Sequence, residues 1–359
     1  MTRTILHVGA DKCGSSSIQG FLSHQPVLLS SDHRVTFEYA CIRHSGLLAP
    51  DDIRTRAKQT VSGYFNSHPT SRILDLGEFD VLSIQQRIAD HPADLIFSCE
   101  GWLRSLLRTE HSQALFNLLS PPGSGRDLEL IAFVRPPVKW INSAWWQWGV
   151  WGCQDGFDAW LQHAIKLTSW HTYLEPLAQN PRVDRLIVEP VLADVVSQFC
   201  DILGVATVAD MPVRSNISLP AEALQLYLHH RHHRPDAHAS ANDFLIMQAI
   251  GRHQREYTRT PWVLGMDQVQ QIIEATHASN LKLLEYVSDS SRQQILDDPS
   301  WWEPRCYEHR QPSDPFEIPT LSQEQLLLLS SDLLDSLANA VQLLRRHQLD
   351  LDQLFVSNT

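Results

Sequence analysis

The chain has 359 residues, 43% of them apolar, enough to bury a substantial core in one large domain or two modest ones. Its formal net charge of −12 argues against a general nucleic-acid binder, so any anionic ligand must be held by a local cluster of donors. No stretch approaches the ~20 apolar residues of a membrane span, Met1-Thr2-Arg3 shows no secretory pattern, and Cys13, Cys41, Cys99, Cys153, Cys200 and Cys306 are scattered without a C-x-x-C. The expectation is a cytoplasmic protein with free thiols, no membrane span and no structural zinc.

Residues 4–9 predict a buried strand, and 14–24 a helix with Ile18, Phe21 and Leu22 as its apolar positions. Between them lies Gly9-Ala-Asp-Lys12-Cys13-Gly14-Ser15-Ser16-Ser17. Strand, glycine-bounded loop and helix in that order form a phosphate-binding architecture, with backbone N–H groups at the helix start. Gly9 and Gly14 have the separation of a Walker A loop, G-x-x-x-x-G-K-[ST]. Ser15 nevertheless stands where that lysine belongs, and Lys12 lies two residues before Gly14.

Further along, Val35–Tyr39 and Asp94–Ser98 predict strands, and Trp102–Leu119 a helix. Pro121-Pro-Gly-Ser-Gly125 predicts a loop. Leu128–Val134 is the strongest strand, nearly all apolar as a central parallel strand should be. Arg135 ends it, and Pro136-Pro137 open a helix. Val183–Val188 is a further strand, followed by a helix over 190–203 that Gly204 closes. The fold class is therefore α/β, a central parallel sheet flanked by helices, with a helical C-terminal extension. Residues 1–235 are expected to form the α/β core, and 236–359 a mostly helical part packed on it within one structural domain. Near the end, Ser322-Gln-Glu-Gln325 predicts a capping box, Leu321 and Leu326 its staple, and the following leucines a helix covering the core. Ligands of such sheets sit outside the carboxyl ends of the strands, which singles out residues 12–17, 99–102 and 135.

The order Lys12-Cys13-Gly14-Ser15-Ser16-Ser17 resembles the 5′-phosphosulfate loop of sulfotransferases that use 3′-phosphoadenosine 5′-phosphosulfate (PAPS). Arg135 and Ser143 match the R-x7-S pair of that family. Arg135-Pro-Pro-Val-Lys-Trp140-Ile-Asn-Ser143-Ala-Trp145-Trp-Gln147 is similar to the bacterial pattern V-R-x-P-x-x-W-x-x-S-x-Y-x-Q. Arg214-Ser-Asn216-Ile-Ser218-Leu resembles a later R-x-N-x-S-L segment, and the likeness spans about residues 1–290. The resemblance implies a P-loop-like fold and transfer of a sulfuryl group from PAPS to a hydroxyl or amine, without a metal. It implies that Lys12 stabilises the leaving oxygen, that Lys12 to Ser17 hold the 5′ group, and that Arg135 with Ser143 hold the 3′-phosphate. Arg214 and Asn216 are further nucleotide candidates.

The base is expected to be Glu100, at a strand's carboxyl end where family members carry histidine or glutamate, with His33 and His44 as alternatives. The acceptor class is left open between a small molecule, a glycan and a lipid. His33, His44, Trp102, Trp145 and Trp148 are its candidate contacts, although seven tryptophans between 140 and 170 also suit a packed core. His7 reads as buried structure. The cluster of His229, His230, His232, His233 and His238 lacks a matching cysteine or carboxylate set, so a solvent-facing helix end is the better reading than a metal site. Two other functions fit the residues: a Walker-variant kinase, and a non-catalytic nucleotide- or carbohydrate-binding protein. Oligomeric state is left open.

Overall fold

The strands are β1 (Thr2–His7), β2 (Val27–Leu29), β3 (Thr36–Tyr39), β4 (Cys41–Arg43), β5 (Gly46–Leu48), β6 (Asp94–Ser98), β7 (Arg126–Val134) and β8 (Arg185–Pro190). Six of them form one mixed sheet in the order β2-β3-β6-β1-β7-β8, and β4 with β5 makes a separate hairpin. Within the sheet β2 and β3 run antiparallel, and the other pairs are parallel. The computed structural model describes residues 2–153, 155–206, 218–237, 241–251, 257–317 and 321–346.

The apolar content of the central strands explains their position. Ile5 and Leu6 of β1, Ile96 and Phe97 of β6 and Leu128, Leu130, Ile131, Ala132, Phe133 and Val134 of β7 are fully buried, as strands covered on both faces must be. Leu6 sits opposite Phe97 on one side and Leu130 on the other. At the amino end of the sheet the charges are satisfied locally: Arg3 pairs with Asp94 at 2.7 Å, and Arg126 donates to Thr4 Oγ1 and to carbonyls of Arg3, His91 and Ala93. Taken in sequence, the parallel strands β1, β3, β6, β7 and β8 lie in the spatial order 2-3-1-4-5. The chain fills one side of β1 and then crosses to the other, which makes the carboxyl end of β1 the switch point of the sheet.

The expected α/β architecture is present, with differences at particular elements. The helix foreseen over 102–119 is two, Trp102–Ser105 and Thr109–Leu119, with Arg108 extended between them. No glycine or proline marks that break; Leu103 N–H donates to Val8 O at 2.9 Å, tying the first turn to the β1 exit. The helix foreseen from 190 begins at Val195, where Asp194 caps Val196 and Ser197 N–H, and it ends as foreseen at a left-handed Gly204. Short β2 and the β4–β5 hairpin carry too few residues to show a period and are additions to the sequence reading.

The chain forms two compact units, each from three stretches, where the sequence reading drew one boundary at 235. The first comprises residues 1–144, 155–216 and 265–310; the second 145–154, 217–264 and 311–359. The second unit is held by tryptophans. Trp145 donates to Pro315 O at 2.7 Å, Trp146 to Pro261 O at 2.8 Å and Trp151 to Trp146 O at 2.9 Å. A π-helical turn, Trp145–Gly149, spreads these indoles around the axis so that each meets a different segment. The capping box forms as foreseen, with Ser322 Oγ accepting from Gln325 N–H and Gln325 Oε1 from Ser322 N–H. Of the leucine stripe of the helix Gln323–Arg346, Leu329 is buried and Leu333 half-buried while Leu326 and Leu337 are exposed, and the helix packs within the second unit on the helices Ala221–His229 and Ala241–Ile250. Among the described residues no helix is long and apolar enough to cross a membrane.

Candidate functional site

The carboxyl ends of three neighbouring strands, β6, β1 and β7, deliver Glu100, the Gly9–Gly14 loop and Arg135 to one place in the first unit. Two loop residues take left-handed backbone, Lys12 with φ 62° and Gly14 with φ 89°. Cys13 N–H closes the loop on Ala10 O at 3.2 Å, and Ser17 and Ile18 N–H then return to Gly14 O to begin the helix Ser15–His24. The earliest N–H groups of that helix have no partner within it, and no acid occupies its first turn. That end is an anion cradle in the physical sense, with dipole and donors pointing out of the helix start.

Both glycines are required. A Cβ on Gly9 would stand 2.4 Å from Ser15 Oγ and 3.2 Å from Glu100 Cα; one on Gly14 would stand 2.7 Å from Val195 Cγ1. Gly14 also has the left-handed backbone that side chains disfavour. Gly14→Ala is expected to cost about 1–3 kcal/mol of stability through that strain and overlap, measured by chemical denaturation, and to weaken any anion bound at the loop.

Hydrogen bonds tie the three chain segments together. Arg135 Nη1–H donates to Lys12 O at 3.3 Å, and Lys12 N–H donates to Glu100 Oε1 at 3.4 Å. Trp140, on the helix Pro137–Ala144, donates its indole N–H to Asp11 O at 2.6 Å. Arg104 pairs with Asp11 at 3.1 Å and lies over the Trp140 ring. Ser143 is buried one turn beyond Trp140 on the same helix. Arg135 O receives the indole N–H of Trp170 at 2.9 Å, which fixes the strand exit.

The electrostatics follow from crowding. Burial, and then the negative charge of Asp11, push the Glu100 carboxyl up to about 7, while Lys12 and its N–H pull the other way. Asp11 is also raised by burial, offset by Arg104 and Lys12. A carboxyl that titrates near neutrality beside a lysine is suited to proton transfer. Cys13 is fully buried, and burial lifts its thiol far above the usual range, so the thiol stays protonated.

The remaining candidates are placed differently. Ser15 and Ser16 are buried: Ser15 Oγ–H points to Ala10 O, and Ser16 Oγ accepts from the Tyr64 hydroxyl at 3.4 Å. Ser17 is half-buried on the first turn. Trp102, expected at the acceptor, is fully buried with its indole N–H donated to His68 O, so it packs the floor. Trp145 is likewise fully buried and belongs, with half-buried Trp148, to the second unit. His33 is exposed in the turn after β2 with φ 56°, and His44 is exposed at the tip of the β4–β5 hairpin. His7 is fully buried as foreseen; burial lowers it to about 3, and Ser98 Oγ lies 2.8 Å from Nδ1. Arg214, Asn216 and His238 lie outside the described residues. The rings of His230, His232 and His233 cluster, but among the described residues no group of His, Cys, Asp or Glu is placed to hold a metal. Asp11, Arg104, Trp140 and Tyr64 surround the candidate site and were not among its predicted residues; Asp11 carried a signal in its place inside the loop, and Trp140 in its place in the Arg135–Gln147 pattern. A separate cleft of ≈ 310 Å³, lined by Pro121, Arg126 and Arg182 among others, opens at the amino end of β7, away from this site.

No protein-family model matches the chain, and no curated protein matches it either.

Proposed function

We propose that the protein is a PAPS-dependent sulfotransferase. The observation that carries this reading is that Lys12 receives the Arg135 guanidinium on its carbonyl and offers its N–H to Glu100, so two cations and a carboxyl near neutrality meet at one phosphate-type loop. Such a group of donors is what a doubly phosphorylated nucleotide requires in a chain of net charge −12. PAPS would supply an activated sulfuryl group. The backbone of residues 13–17 and the Lys12 ammonium would hold its 5′ end, with Arg135 and Ser143 on its 3′-phosphate. Glu100 would take the proton from the acceptor hydroxyl or amine. The Lys12 ammonium gains most where charge grows on the leaving oxygen, which is its contribution to rate.

Thermal-shift titration separates this from its rivals. 3′-Phosphoadenosine 5′-phosphate (PAP) is expected to stabilise the protein by about 2.7 kcal/mol at a hundredfold excess over Kd, with AMP much weaker and ATP with Mg²⁺ giving no preference. Arg135→Gln should erase the preference for PAP over AMP. A stronger response to ATP with Mg²⁺ supports a kinase; equal responses to PAP and AMP remove the 3′-phosphate role of Arg135.

A further inference from the structure

Beside the exit of β6 lies a second cluster of basic side chains, Arg43 with His44 and His68, that the reading above does not use. The segment through Ser67 and His68 bridges the β4–β5 hairpin to that strand: Ser67 N–H donates to Ser98 O at 3.1 Å, and His68 N–H to Ile42 O at 2.9 Å. His68 O in turn holds the indole of Trp102, two residues beyond Glu100. On this bridge Arg43 Nη1–H donates to His68 Nδ1 at 3.1 Å, the guanidinium lies over the Phe65 ring at 4.2 Å, and the His44 ring lies 4.5 Å from that of His68.

Among the described residues no acid offsets the charge of Arg43 directly, as one does at Arg3 and Arg104. Half-buried Arg3 and Arg104 pair with Asp94 and Asp11. Among the described residues Arg43, His44 and His68 have no carboxylate at ion-pairing distance. His68 is held down at about 4, first by burial and then by Arg43, His44 and Arg72, as expected where positive charge is not compensated. With Nδ1 accepting from Arg43, neutral His68 carries its proton on Nε2. Arg43 engages one terminal nitrogen in that bond, which leaves the Nε–Nη2 edge, a fork that matches the two oxygens of a carboxylate.

Resting on the sulfotransferase reading, we infer that Arg43, with His44 and His68, recognises the acceptor, and that this acceptor is a hydroxyl compound that also bears a carboxylate. A carboxylate on this edge would set the hydroxyl toward Glu100, the next side chain along the chain segment to which His68 is tied.

The test uses two probes that differ in the carboxylate, phenyl β-D-glucuronide and phenyl β-D-glucoside, titrated by calorimetry into the full-length protein loaded with PAP. The glucuronide is expected to bind at least about tenfold tighter, the loss of one charge-assisted pair being worth that much. Arg43→Gln should abolish the difference while PAP affinity stays within twofold, and Arg43→Lys should restore part of it. Equal affinity for the two sugars, no binding of either, or a preference that survives Arg43→Gln overturns the inference and leaves the nucleotide site standing. Failure of PAP itself to bind is seen in the same calorimeter and counts against the sulfotransferase reading instead.

Discussion

Lys12→Ala is expected to lower sulfuryl transfer roughly 10²- to 10³-fold, the range seen when one preorganised donor is lost from a developing negative charge. The fold should survive. The loop contacts of this residue to Arg135 and Glu100 run through its backbone carbonyl and N–H, which truncation keeps. Alanine meets no more strain than lysine at φ 62°. Because the lysine charge lowers the Glu100 carboxyl, its removal should also move the acidic limb of the pH–rate profile upward. Steady-state kinetics across pH 5.5–9 on a scale of about half a unit would read both effects. A kcat within threefold of the parent would exclude Lys12 from the transition state.

Glu100→Gln is expected to cut kcat about 10²- to 10⁴-fold, the usual contribution of a positioned base. It should simultaneously stabilise the protein, and the sign of that effect is specific. Burial first, and then the charge of Asp11, raise the folded carboxyl from its ordinary 4.5 to about 7. Between those two values the unfolded chain loses its proton while the folded one keeps it, so the parent loses stability as pH rises across this window. Glutamine removes the loss. Its advantage should be nil near pH 4, grow toward pH 7, and level off at about 3 kcal/mol above that. Urea denaturation of both proteins at pH 4.5, 6 and 8 measures it. A variant that is less stable at pH 8 would show that Glu100 is held as a charged structural partner, and undiminished turnover would remove it as base.

The candidate site was legible where it is built from contiguous residues. Gly9, Lys12, Gly14 and the three serines declared a loop at a helix start, and Arg135 stood at the end of an apolar run that could only be a central strand. Glu100 followed from its place two residues after a predicted strand together with the family resemblance, which puts a base there. The parts that escaped are those assembled from distant stretches. Asp11, Arg104 and Trp140 form one contact set although up to 129 positions separate Trp140 from Asp11, and no local pattern links them. The tryptophans misled for a related reason. An indole looks the same in a sequence whether it faces a ligand or donates its N–H to a carbonyl, as Trp102, Trp145 and Trp146 do. The leucines of Gln323–Arg346 had the correct period for a helix, yet period reports which residues share a face and says nothing about whether that face is covered.

The interleaving of the two units bears on how the chain is made. Every strand of the large sheet lies before Val191, so the sheet can pair while the ribosome is still delivering the remainder. The helix Met266–Leu283, which packs on Trp170–Ala178, emerges only later, and the second unit must wait for residues past 311. Neither unit is therefore an uninterrupted reading frame. A gene fragment ending near residue 235 would yield a sheet stripped of part of its own cover, and subcloning either half alone should give aggregation rather than a working module.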